Sequence, residues 1–109
     1  MKENDLVYIK HILEAIDKIE RYLGSVSYVE FSKNDMIIDA VVRELEVIGE
    51  AAGNISKELK NKNPELPWRE SSDMRNFLIH EYFGVNAKTV WDTCKVDLPG
   101  LKKQIENLA

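Results

Sequence analysis

Apolar residues recur every three or four positions through most of the chain, the spacing that lines one face of an α-helix. Leu6, Ile9, Ile12, Leu13, Ile16, Ile19 and Leu23 form the first such stripe and predict an amphipathic helix from about Glu3 to Leu23. Asn4 or Asp5 is available to cap its start, and Gly24 stands where a helix ends. The following "SVSYVEFSKND", residues 25–35, places Ser and Asn cap candidates around Tyr28 and Phe31 and predicts one or two helical turns. The longest stripe follows, with Ile38, Val41, Val42, Leu45, Ile48, Ala52, Ile55 and Leu59 on one side of a helix from about Asp35 to Leu59. Gly49 lies on that same side. A mid-helix glycine costs about 1 kcal/mol relative to alanine, so a close helix crossing is the expected compensation.

The polar, two-proline "KNKNPELPW", residues 60–68, stops that helix. Ser72 or Asp73 can cap a further helix that closes at Gly84, and Asn86 can start another. Pro99 either opens a last helical segment or kinks a continuous one. No alternation of β type extends over four residues. The pattern predicts an all-α fold, an antiparallel four-helix bundle with a short extra helix, as one domain over residues 1–109.

The segment "RNFLIHEYFG", residues 75–84, departs from a simple amphipathic pattern. At about 100° per residue Met74, Phe77 and Leu78 share a core face, while Ile79 and Phe83 fall nearly opposite. A helix apolar on two sides has a second packing partner, which in so small a protein is expected to be another copy of the chain. Arg75 and Tyr82 flank the second stripe on one side, Asn76 and His80 on the other. Two copies meeting along Ile79 and Phe83 would bring these polar groups together in a shared cleft. Glu81 fits this scheme poorly, because the wheel places it beside the core face.

Composition narrows the setting. The chain has 109 residues, 44% of them hydrophobic and 31% charged, with a net charge of −4. That balance excludes a general polyanion-binding protein with a basic face but leaves room for a local basic site. A single cysteine, Cys94, excludes an internal disulfide and fits a reducing compartment. The opening "MKENDLVYIK" has no apolar core of signal-peptide type, and no apolar run approaches a membrane span, so the expected location is the cytoplasm.

The polar groups of residues 75–82 suit phosphodiester cleavage without metal. His80 is the residue of this segment whose type has an unperturbed pKa near neutrality, so it can take a proton from an RNA 2′-hydroxyl or return one to the leaving oxygen. Arg75 offers a planar cation matched to phosphate, and Asn76 can orient either group. Tyr82 supplies a phenol that can bind, donate a proton or accept a modification. Histidine on a mostly apolar helix is also commonly a structural residue, and the spacing alone does not separate the two.

"RELEVIGEAAGNIS" (43–56), "PELPW" (64–68), "DMRNFLIHEYFGV" (73–85) and "VWDTCKVDLPGLKKQI" (90–105) together resemble the HepT-like branch of the HEPN superfamily. The resemblance covers nearly the whole chain in order. It implies a helical homodimer with metal-independent ribonuclease activity, the toxin of a type VII-like toxin–antitoxin pair. The family's R-x4-H-x-Y motif falls on Arg75, His80 and Tyr82, with Asn76 at the polar position after the arginine. It further implies that Tyr82 accepts AMP from ATP, transferred by a minimal nucleotidyltransferase that acts as antitoxin. Added bulk and negative charge near Arg75 would then oppose RNA phosphate. The alternative is a non-catalytic helical subunit of a nucleotidyltransferase complex, a reading that suits the net acidity.

Other residues admit plainer roles. Arg43, Glu46 and Glu50 share one polar face of the long helix, either solvated with intrahelical pairing or supporting the dimer cleft or the partner. No ligand-spaced cluster predicts a metal, and no glycine-rich phosphate loop predicts ATP binding or any other cofactor by this chain alone. Trp68 reads as a loop anchor and Trp91 as the cover of a helix crossing, though either offers a face on which a base can stack. His11 is expected to meet solvent, and Cys94 to act as a small buried apolar group.

Overall fold

The computed structural model describes residues 2–72 and 86–108, and among these the regular structure is entirely helical. Helix α1 spans Glu3–Leu23, α2 Tyr28–Ser32, α3 Asp35–Asn54 and α4 Lys57–Lys62. A further helix, α5, is present over residues 68–72. The last helical run comprises α6 at Ala87–Asp92, a π-helical turn at Thr93–Asp97 and α7 at Leu98–Glu106.

The local sequence explains most of these boundaries. Gly24 ends α1 at φ 46°, a left-handed conformation that L side chains adopt only with strain, and its N–H bonds the Glu20 carbonyl. Ser27 and Glu30 form a reciprocal capping box on α2, and the Asn34 side chain accepts the Ile37 N–H at the start of α3. Asn86 caps α6 through the Thr89 N–H at 3.1 Å. Pro99 does not break the final run. The chain widens into a π turn in which the Leu98 N–H reaches back to the Thr93 carbonyl. Proline lacks an N–H and its ring crowds the preceding turn, so one turn of wider winding lets the helix continue.

Three expectations need correction. The helix expected over Asp35–Leu59 is two helices: α3 ends at Asn54, Ile55 is extended, and Ser56 caps α4 through the Leu59 N–H. The apolar period runs on through the break because Ile55 and Leu59 are buried in both phases of the chain. Ser72 is no N-cap, because α5 is already helical from residue 68, immediately after Pro67. Neither Asn4 nor Asp5 is the N-cap of α1, which falls on Lys2. The expected cap at Asp73 and the helix end at Gly84 lie outside the described residues.

Among the described residues, α1 and α3 form the most extensive helix pair. The start of α1 meets the residue that follows α3, through Asp5 and Ser56, so the two helices run antiparallel. One hydrophobic cluster joins Ile9, Ile12, Ile16 and Ile19 of α1, Val41, Leu45 and Ile48 of α3, and Leu98, Leu101 and Ile105 of α7. Burying each such side chain is worth roughly 1.5–3 kcal/mol. Leu6 is 54% exposed, outside this core. It lies about 100° from the centre of the buried stripe on the helix wheel, beside Leu13. Gly49 is buried on α3. Lys102 of α7 pairs with Glu20 of α1 at 2.9 Å on the surface.

Candidate functional site

Arg75, Asn76, His80 and Tyr82 lie outside the described residues, as do Ile79 and Phe83. What the structure defines is their frame. The chain enters the segment from α5, whose Ser71 is buried and bonds the Pro67 carbonyl through its N–H. It leaves at the Asn86 cap of α6. Trp68, the first residue of α5, is half-buried and donates its indole N–H to the Asn63 carbonyl at 2.8 Å, tying the proline loop to the helix that follows.

Arg43, Glu46 and Glu50 come together with residues of another helix. They line one groove of about 400 Å³ between α1 and α3, with Tyr8, His11 and Asn54. His11 is exposed, as expected, and its ring meets Tyr8 edge-on at 6.4 Å between centroids. Asn54 donates to the Glu50 carbonyl and approaches the Glu50 carboxylate. Arg43 makes no ion pair among the described residues. The groove carries cationic, anionic and aromatic groups side by side. That suits recognition of mixed polar groups more than a long polyanion. Among the described residues no three His, Cys, Asp or Glu side chains converge as a metal site would require.

Asp5 is the polar residue that the sequence reading missed. It is 2% exposed, yet it accepts the Ser56 N–H at 2.8 Å, the Ser56 hydroxyl at 2.6 Å and the Lys2 N–H at 3.4 Å. Burial alone would raise its pKa, but the hydrogen bonds from Ser56 and Lys2 outweigh that and hold the carboxyl below its ordinary value. Its helical phase carried the signal: Asp5 precedes Ile9 by four residues and Ile12 by seven, in the middle of the core stripe. Cys94 is buried against α1 beside Leu98, and burial pushes its thiol up to about 12 despite neighbouring Lys95.

The whole chain, rather than one pocket, decides kinship. A family model described as "Ribonuclease HepT-like" matches residues 12–108. The chain belongs to the HepT-like ribonuclease family. It is 43% identical over 108 residues to a Thermococcus cleftensis protein named "Probable ribonuclease HepT", covering 99% of this chain and 98% of that one. A Caldanaerobacter subterraneus protein with an RNase name is 40% identical over 101 residues, 93% of this chain and 90% of its own. A Methanocaldococcus jannaschii protein, also named as an RNase, is 43% identical over 109 residues, 99% of this chain and 90% of its own. No solved structure matches the chain. Against this background the helical frame is that of a HepT-like chain, and no described helix is long and apolar enough to cross a membrane.

Proposed function

We propose that this HepT-like chain is a metal-independent endoribonuclease, the toxin of a type VII-like toxin–antitoxin pair, acting as a homodimer on RNA. The observation that carries the reading is a family match over nearly the full chain together with Arg75, His80 and Tyr82 at R-x4-H-x-Y spacing. His80 takes the proton of an RNA 2′-hydroxyl, and the freed 2′-oxygen attacks the adjacent phosphorus. The bond from phosphorus to the 5′-oxygen breaks, and that oxygen receives a proton from the same imidazole or from its counterpart in the second copy. A 2′,3′-cyclic phosphate and a 5′-hydroxyl end result. Arg75 balances the charge that develops on the phosphoryl oxygens, and Asn76 orients it. Tyr82 is the control point, where a nucleotidyltransferase antitoxin adds AMP and opposes RNA phosphate by charge and bulk.

Incubating the purified protein with RNA in EDTA tests this. Cleavage that leaves 2′,3′-cyclic phosphate ends is the expected result. Intact RNA at micromolar enzyme would favour the second reading, a non-catalytic helical subunit of the nucleotidyltransferase complex, which the net charge of −4 supports.

A further inference from the structure

The face where α2 meets α6 carries an aromatic cluster topped by two lysines. Phe31 is fully buried and contacts the Trp91 ring at 5.2 Å between centroids. Tyr28 meets Trp91 edge-on at 5.7 Å. Phe31 thus anchors Trp91 to the core, Tyr28 rests against Trp91, and both outer rings remain partly open to solvent. Lys88 sits over the Tyr28 ring at 5.2 Å and Lys95 over the Trp91 ring at 5.0 Å. Lys88 also pairs with Asp92 at 3.1 Å, whereas Lys95 makes no ion pair among the described residues.

From this arrangement we infer that Tyr28 and Trp91, with Lys88 and Lys95, form a stacking subsite for unpaired bases of single-stranded RNA. The inference takes its ligand class from the ribonuclease reading. Two rigid rings with mobile cations beside them supply what a sequence-tolerant single-strand site needs, π-faces for bases and charges for the intervening phosphates. The lysines now occupy the ring faces, so the competition must be weighed. An exposed lysine over a ring is worth roughly a 2- to 5-fold factor. Stacking a base there strengthens binding roughly 5- to 150-fold per base. A base therefore displaces the ammonium, and the released lysine is placed to take the adjoining phosphate. This also answers how a chain of net charge −4 can hold a polyanion: the cations are local and backed by aromatic surface.

The test uses the full chain and a 2′-O-methyl oligonucleotide, which cannot undergo 2′-hydroxyl attack, so binding is read apart from cleavage. In Trp68→Phe, Trp91 is the sole tryptophan and its fluorescence is expected to be quenched on titration. In an otherwise unaltered chain, Lys88→Ala with Lys95→Ala should weaken binding about 10-fold or more, and should lower the salt slope by about 1.4 for two lost phosphate contacts at about 0.7 each. Lys10→Ala with Lys18→Ala, the same charge change on α1, serves as control. Equal losses from the two lysine pairs, or an unresponsive Trp91, would overturn the subsite. Quenching with no cleavage of ordinary RNA would support the subsite and overturn the nuclease reading. Cleavage with Trp91 silent and lysine variants of unchanged KM would do the reverse.

Discussion

The Asp5 carboxylate and the Ser56 hydroxyl stand 51 residues apart in sequence and 2.6 Å apart in space, where α1 begins and α3 has just ended. The same carboxylate takes the Ser56 N–H, so one buried anion fixes both the capping serine of α4 and the antiparallel register of α1 on α3. Asp5→Ala removes both bonds and leaves partly buried donors without an acceptor. The expected loss is about 2–4 kcal/mol in urea unfolding. A loss below about 0.5 kcal/mol would show that the contact ties nothing. The pH dependence follows from the sign of the shift. The folded carboxyl titrates below its unfolded value, so its stabilisation is complete above about pH 4 and fades as pH falls through the lower folded pKa. Asp5→Asn should therefore flatten the acid limb of the stability profile.

How far the sequence reveals this depends on the distance over which each feature is encoded. The buried stripes of α1 and α3, the Ser27, Asn34 and Asn86 caps and the glycine stop at Gly24 are local, and were legible. Asp5 was not, because an acidic residue in the first turn looks like a cap until its distant partner is known. Ile55 hid the break between α3 and α4, since it continues the apolar period while its backbone is extended. His11 read as solvated and Arg43 as either solvated or supporting a partner surface, and only the packing of α1 on α3 puts them in one groove. The R-x4-H-x-Y residues are legible only as spacing and family resemblance.

Burial governs the chemistry of Cys94. With its thiol pushed up to about 12, the nucleophilic thiolate is scarce at neutral pH, and the residue is also only 6% exposed. Alkylation of the native protein at pH 8 should be slower by orders of magnitude than in denaturant. Rates equal in the two conditions would place Cys94 at the surface. Cys94→Ala should cost about 1–2 kcal/mol, the scale of a small core truncation.

The catalytic assignment predicts separable effects on chemistry and fold. His80→Ala should lower the RNA cleavage rate by about 10²–10⁴, the usual contribution of general acid–base catalysis. Arg75→Ala should cost a similar factor by leaving phosphoryl charge uncompensated. Circular dichroism and native mass should match the unsubstituted protein for both. Either variant cleaving at the unsubstituted rate would remove that residue from the reaction.

Tyr82 separates two ways of silencing the enzyme. If the proposed nucleotidyltransferase antitoxin acts by modification, co-expression should yield a chain heavier by whole AMP units, with the added mass on the peptide containing Tyr82. That product should stay inactive after the partner is removed, because the phosphate–phenol linkage is covalent and keeps its added charge and bulk on Tyr82. Tyr82→Phe lacks the acceptor oxygen, so it should keep cleaving RNA while escaping neutralisation. If the partner acts by occlusion, the recovered chain would be unmodified and active, and Tyr82→Phe would remain inhibited as long as the complex held. Intact mass before and after separation of the two proteins, with cleavage assayed on the same samples, decides between them.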